Sequence, residues 1–129
     1  MSDSVRYYWE DFPVGRTFEF QGFAPCEAEM VEFSQKFDPQ PAHIDSAWAA
    51  KSPPGHIVAN GWHICAKVMR MMCDFYLSET ANLGSPSIER LRWLRPVGPG
   101  EPLRCARLYG PREDPIPNPT EDSSRPVGL

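Results

Sequence analysis

Residues 37–45 read Phe-Asp-Pro-Gln-Pro-Ala-His-Ile-Asp, and the rest of the chain is interpreted outward from this stretch. Asp38 and His43 stand five positions apart, with two prolines between them. Proline fixes φ and lacks a backbone N–H, so a continuous helix cannot pass through the segment. We expect a stiff turn that holds a carboxylate and an imidazole, the usual groups of general acid–base catalysis. On spacing alone, a helix-ending loop in which Asp38 accepts backbone N–H bonds and His43 packs is the commoner alternative.

The composition predicts one soluble globular domain. The chain has 129 residues, of which 41% are hydrophobic and 12% aromatic, and its net charge is −4. These values are typical of a single domain. The scattered arginines do not indicate a nucleic-acid surface, and no apolar run approaches the ~18 residues that a membrane helix needs. The first ten residues lack the apolar core of a signal peptide, so we expect a cytoplasmic location.

The cysteines predict a reducing environment and no metal site. They form no CxxC pair, and their spacing with the histidines fits no zinc pattern. They are therefore interpreted as small hydrophobic residues in a reducing compartment. The four are Cys26, Cys65, Cys73 and Cys105.

Hydrophobic periodicity predicts an α+β chain. Alternation from Thr17 to Phe23 indicates a half-buried strand, and Glu27 to Lys36 has the pattern of a short amphipathic helix. From Ala59 to Ser78 there is no proline and nearly every face is apolar, which predicts one continuous, mostly buried helix. Ser87–Arg95 and Leu103–Tyr109 have the pattern of strands joined by a tight turn. The resulting antiparallel sheet is expected to wrap the long helix.

The end of the chain differs in composition from the rest. Residues 110–129 are rich in proline and charge and contain almost no apolar side chains. Such a segment cannot bury enough surface to order itself. We therefore predict a domain over residues 1–109 followed by a disordered tail over residues 110–129.

Three segments, in order, resemble the MaoC-like dehydratases, the hydratase-2 branch of the hot-dog fold. The family signature D-x-N-P-x-H stands here as Asp-Pro-Gln-Pro-Ala-His at residues 38–43. Residues 57–61, Ile-Val-Ala-Asn-Gly, resemble the segment that opens the family's central helix. Residues 91–100 resemble the strand and turn after that helix, and residues 9–15 fit as well. The resemblance implies a hot-dog fold, in which an antiparallel sheet wraps a long central helix.

The chain departs from the family at three points. Gln40 stands where the family usually has Asn, and Phe37 where many members have Gly. Family members also continue past this region through long strands that complete the sheet, whereas here Tyr109 is followed by the Pro-rich residues. We therefore expect a hot-dog domain that lacks its last strands, with an open sheet edge.

The resemblance implies reversible hydration of a trans-2-enoyl thioester of coenzyme A. Asp38 and His43 would hold one water, and the enolate oxygen would lie at the N-terminus of the central helix, beside the N–H of Gly61. No metal or separate cofactor is implied, since coenzyme A belongs to the substrate. The matched segments imply substrate contacts from Gln40, Pro41, Ile57, Val58, Ala59, Asn60 and Trp62.

Other interpretations remain open at this point. A hot-dog thioesterase would direct a carboxylate and water at the thioester carbonyl and would not need His43 beside Asp38. A non-catalytic or degenerate acyl-CoA-binding protein is favoured by the missing strands. An incomplete sheet around an apolar helix also predicts a homodimer.

The remaining polar candidates have more ordinary explanations. The arginines between residues 90 and 95 have the chemistry to meet coenzyme A phosphates, but a solvated strand face is the commoner explanation. His56 is expected in solvent. His63 is expected to pack or to make a local hydrogen bond.

Overall fold

A computed structural model describes residues 5–82, 84–85 and 87–109. The predicted tail at residues 110–129 lies outside them. None of the helices in the described part of the chain is long and apolar enough to cross a membrane. The elements in chain order are strand β1 (Thr17–Phe23), helices α1 (Glu27–Phe37), α2 (Pro41–Ile44), α3 (Ser46–Ala50) and α4 (Gly61–Phe75), and strand β2 (Leu103–Leu108). Short 3-10 helices at Trp9–Asp11 and Leu77–Glu79 flank this set.

The two strands form an antiparallel pair. Thr17 lies opposite Leu108, and Phe23 lies opposite Leu103. A register shift before Phe23 shows that β1 carries a bulge. Gly22 lies at this bulge, where a Cβ would come far closer than 3.0 Å to the carbonyl of Leu103. Only glycine permits this approach of the two backbones.

An aromatic core packs the C-terminal end of α4 against strands β1 and β2. Phe12, Phe18 and Tyr76 are buried together, and the Phe18 and Tyr76 rings stack with centroids 5.4 Å apart. Burial raises the pKa of the Tyr76 hydroxyl above its ordinary value. Phe12 directly follows the 3-10 helix Trp9–Asp11, so its burial packs that helix onto the domain.

A second core lies beneath the start of α4. Met30 on α1, Ala49 on α3 and Ile57 on the following loop are buried against one another. The end of α1 lies beside the beginning of α4, where the side chain of Asn60 donates to Asp38. The backbone N–H of Ala59 also donates to the carbonyl of Val97 at 2.8 Å.

Helix α4 is shorter and more exposed than the sequence predicts. The continuous helix expected from Ala59 to Ser78 begins at Gly61, ends at Phe75 and is followed by a 3-10 turn. The prediction that it is mostly buried was wrong, because His63 is its only buried residue. The two strands of the described residues cover one face of α4, so side chains such as Met69 stay about half exposed.

The strand predicted over residues 87–95 is absent. Residues 87–95 have no regular secondary structure. Strand β2 pairs with β1, and it forms no hairpin with residues 87–95. A strand needs a neighbour for its backbone hydrogen bonds, and alternation of side chains alone does not supply one. The predicted turn before β2 is present: Glu101 N–H donates to Gly98 O, and Gly100 has a φ of +74°.

Candidate active site

The end of α1 and the start of α2 place Asp38 and His43. The N–H of Asp38 makes the last bond of α1, to the carbonyl of Ser34 at 2.8 Å. Pro39 follows, and it disfavours helical backbone at Asp38. Pro41 occupies the first position of α2, where its missing N–H costs nothing, and this single turn carries His43.

Asp38 and His43 face each other. Nε2 of His43 lies 3.7 Å from Oδ2 of Asp38, and the two side chains are 16% and 29% exposed. Nδ1 of His43 lies 2.7 Å from the carbonyl of Val58. A carbonyl can only accept, so Nδ1 carries the hydrogen, and in the neutral ring Nε2 keeps a free lone pair toward Asp38.

Two side-chain amides hold the Asp38 carboxylate. Nε2 of Gln40 donates to its Oδ1 at 2.7 Å, and Nδ2 of Asn60 donates to its Oδ2 at 2.5 Å. The Gln40 bond is exposed, whereas Asn60 is buried. Each carboxylate oxygen therefore has one fixed donor and retains further lone pairs.

The N-terminus of α4 lies beside this pair. Oδ1 of Asn60 caps the helix by accepting from the N–H of Trp62 at 2.9 Å. Within the described residues, the N–H of Gly61 has no hydrogen-bond partner, as is usual for the first position of a helix. The Trp93 indole packs on Gly61 so closely that a Cβ there would lie within 3.0 Å of the ring.

Asp38, His43 and the start of α4 open on one cleft of about 480 Å³. Asp38, His43 and Gly61 line it, which brings together the three residues that the sequence assigned to catalysis. The rest of its lining is Val58, Ala59, Asn60, Trp62, Ile64, Trp93, Leu94, Arg95, Pro96 and Val97. No three His, Cys, Asp or Glu side chains stand close enough to hold a metal ion in the part of the chain that is described.

Three of the predicted substrate contacts do not line the cleft. Ile57 is buried in the second core, Pro41 is exposed at the start of α2, and Gln40 reaches the site only through its bond to Asp38. Conversely, Trp93 was missed as a site residue, because it was assigned to a strand. It packs edge-to-face on Trp62, with ring centroids 5.3 Å apart.

The other cationic candidates lie at the margin. Arg90 and Arg92 are exposed and do not line the cleft, whereas Arg95 does, paired with the carboxylate of Glu101. The N–H of Gly98 and then the guanidinium of Arg95 hold the pKa of Glu101 below its ordinary value. His56 is exposed, as expected, and donates from Nδ1 to a neighbouring carbonyl.

His63 packs between α1 and α4, as one interpretation of the sequence expected. Its ring stacks on Phe33 at 4.8 Å, and its Nε2 lies 3.3 Å from a carboxylate oxygen of Glu29. Nζ of Lys67 lies 3.0 Å from the same oxygen. Lys67 first and His63 second hold the pKa of Glu29 below its ordinary value. This cluster fixes α1 against α4 just beyond the cleft.

Residues 11–108 match the family described as MaoC like domain, and the chain belongs to that family. A crystal structure of a MaoC-like dehydratase from Rhodospirillum rubrum matches with a TM-score of 0.64 at 28% identity, covering 78% of this chain and 68% of that one. R-hydratase PhaJ1 from Pseudomonas aeruginosa matches with a TM-score of 0.64 at 22% identity, covering 81% and 65%. The predicted family and hot-dog fold are confirmed.

Two further comparisons each cover more than 70% of this chain. A monoamine oxidase regulatory protein from an Archaeoglobus species shares the fold with a TM-score of 0.72 at 23% identity, covering 88% of this chain and 78% of that one. The uncharacterized protein YdeM from Bacillus subtilis is 23% identical over 96 residues, which is 73% of this chain and 67% of that protein. At 23% identity, the Archaeoglobus structure shows the fold alone.

Proposed function

We propose that this chain catalyses the reversible hydration of a 2-enoyl thioester of coenzyme A, with Asp38 and His43 acting on one water. The observation that carries the proposal is the position of His43 Nε2, 3.7 Å from Asp38 Oδ2 and on the same cleft as the start of α4. This separation is too long for a direct hydrogen bond, so both atoms are available to a single water molecule. The family and the R-hydratase among the structural neighbours support the same chemistry.

In the proposed hydration, each of these groups has a distinct role. The water oxygen bonds to the β-carbon while the pair takes up a water proton, and the electrons of the double bond move toward the thioester carbonyl. The N–H of Gly61, at the positive end of α4, stabilises the enolate oxygen. The proton returns to the α-carbon, so that one H and one OH are added overall. Dehydration is the reverse sequence.

We also propose that the protein is a homodimer. The support is the row of large apolar side chains that remain about half exposed or more on α4 and on the segment after it: Trp62, Met69, Phe75, Ile88, Trp93 and Leu94. An exposed apolar surface of this kind is typical of an interface. A single species of monomer mass in sedimentation at micromolar concentration would contradict this assignment.

The proposed location is the cytoplasm. Its support is the state of the cysteines: Cys26, Cys65, Cys73 and Cys105 are all free thiols. Free thiols are typical of reducing compartments.

The function is tested with crotonyl-CoA and purified protein. We expect loss of the enoyl absorbance and formation of 3-hydroxybutyryl-CoA, without release of free coenzyme A thiol. His56→Ala serves as the control, because His56 is an exposed histidine outside the cleft, and it should retain wild-type activity. Release of free thiol would identify a thioesterase. Binding without turnover would favour a non-catalytic acyl-CoA-binding protein.

A further inference from the structure

Asn60 connects the start of α4 directly to Asp38. The residue is 2% exposed, and both ends of its side-chain amide are used. Oδ1 accepts from the N–H of Trp62 at 2.9 Å, and Nδ2 donates to Oδ2 of Asp38 at 2.5 Å. Sequence patterns do not predict this contact, because the two residues are 22 positions apart.

The helix cap determines which way this amide faces. A backbone N–H can only donate, so the atom facing Trp62 must be the amide oxygen, and Nδ2 must point at Asp38. Rotation of the amide by half a turn would set donor against donor at the cap and remove both hydrogen bonds. Oδ2 of Asp38 is therefore held as an acceptor, and a proton on that oxygen would meet the Asn60 N–H.

We propose that Asn60 is a positioning residue for the Asp38–His43 pair, and that it assigns the two roles. With Oδ2 of Asp38 kept as an acceptor by Asn60, the proton that leaves water goes to Nε2 of His43, whose Nδ1 hydrogen is engaged by Val58. Asp38 orients the water and faces the imidazolium that forms. This inference rests on the proposed hydration, and it names the base, which the pair alone leaves undecided.

The position of Asn60 also sets the spacing within the site. Gly61, the donor proposed for the enolate oxygen, is the next residue. The same cap that fixes the Asn60 amide fixes the first turn of α4. Asn60 thus couples the proton-transfer side of the cleft to the side where charge develops.

Asn60→Asp tests this arrangement with almost no change in shape. Its carboxylate can still accept from Trp62 N–H, but it presents an anionic oxygen to Asp38 where the wild type presents a donor. We expect kcat to fall by about 100-fold, the range of a lost proton-transfer group, while KM changes little. Asn60→Ser keeps a capping hydroxyl that is too short to reach Asp38, and a smaller fall in kcat is expected. Near wild-type kcat in both variants would overturn the inference.

Asp45→Asn is the matched control. Asp45 caps α3 by accepting from the N–H of Trp48 at 3.0 Å, and it does not line the cleft. The exchange again involves an Asp and an Asn at a helix cap, and wild-type kcat is expected. An equal fall in kcat for Asp45→Asn and Asn60→Asp would show that any cap change disturbs the site, and would contradict the specific role of Asn60.

The exchanged double variant, Asp38→Asn with Asn60→Asp, separates folding from chemistry. It restores one donor and one acceptor across the same contact, but moves the carboxylate away from His43. Thermal stability should recover relative to Asn60→Asp alone, whereas hydration should remain lost. Recovery of hydration would overturn the proposal, because the place of the negative charge would then be immaterial.

A spectroscopic measurement distinguishes failure of this inference from failure of the proposed function. In the wild type, the Asn60 side-chain NH₂ should show one proton shifted downfield by the Asp38 carboxylate, and Asp38→Ala should abolish the shift. If the chemical shift of the Asn60 NH₂ is the same in wild type and in Asp38→Ala, the positioning role is overturned, regardless of the hydration rate. A wild type that carries the signal but does not hydrate crotonyl-CoA overturns the proposed function, and the assignment of His43 as base with it.

Discussion

Two segments form walls of one cleft, and their support is very different. They are residues 38–62, here called the anchored region, and residues 87–96, here called the extended segment. In the anchored region, short hydrogen bonds tie Asp38 to Asn60 and His43 to Val58. In the extended segment there is no regular secondary structure, and Leu94 is 83% exposed. The proposed chemistry therefore lies on the wall that is held by buried contacts. The other wall contributes apolar surface, chiefly Trp93.

The largest difference between the two walls is expected in stability. Met30 lies fully buried beneath the anchored region, so Met30→Ala should lower the free energy of unfolding by about 2–4 kcal/mol through lost burial and a cavity. Leu94→Ala, in the extended segment, should change it by less than about 0.5 kcal/mol. Urea unfolding of both variants makes the measurement. Equal losses would show that the extended segment is packed as firmly as the anchored region.

Gly61→Ala tests a point of direct contact between the two walls, where Trp93 packs on Gly61. The new methyl group would overlap the Trp93 indole, so the extended segment must shift while the anchored region stays. We expect a loss of about 1–2 kcal/mol in unfolding free energy and a change in Trp fluorescence. Adding Trp93→Ala should recover most of the stability. No recovery would mean that the methyl group disturbs the helix start itself.

The smallest effect is expected from the ion pairs that join α1 to α4. Glu29→Gln should cost about 0.5 kcal/mol at pH 7, since the Glu29 side chain is about half exposed and solvent screens the pair. The pKa of Glu29 is lowered in the folded state from 4.5, so the unfolded state binds more protons near that pH. The contribution is therefore present above about pH 4.5 and is lost as the pH falls through the folded-state pKa.

Unfolding of Glu29→Gln and wild type across pH 3–7 checks this small term. The exposed Arg70–Asp74 pair on α4 offers a control, because Asp74→Asn removes an ion pair that does not join two helices. The wild-type-minus-variant difference for Glu29→Gln should converge toward zero in acid. A Glu29→Gln difference that grows as the pH falls would have the wrong sign for a lowered pKa.

Features that depend on residues close in sequence could be predicted, whereas contacts between distant residues could not. Prolines that stop a helix and the spacing of Asp38 and His43 act within a few residues, and the structure has both in the expected place. The bond from Asn60 to Asp38 was missed, because it depends on how α1 packs against α4. The strand at residues 87–95 and the buried character of α4 were wrong for a related reason. Both require a neighbouring strand, which an apolar pattern does not specify.

The central claim is that Asp38 and His43 act as one unit on one water. Its most direct test is kcat/KM for crotonyl-CoA hydration in Asp38→Asn, His43→Ala and the double variant, with thermal unfolding as the control for folding. Each single change should lower kcat/KM by at least about 100-fold, and the double variant should be little worse than either, because members of a catalytic unit are not additive. Single variants with near wild-type activity, or losses that multiply in the double variant, would contradict the claim.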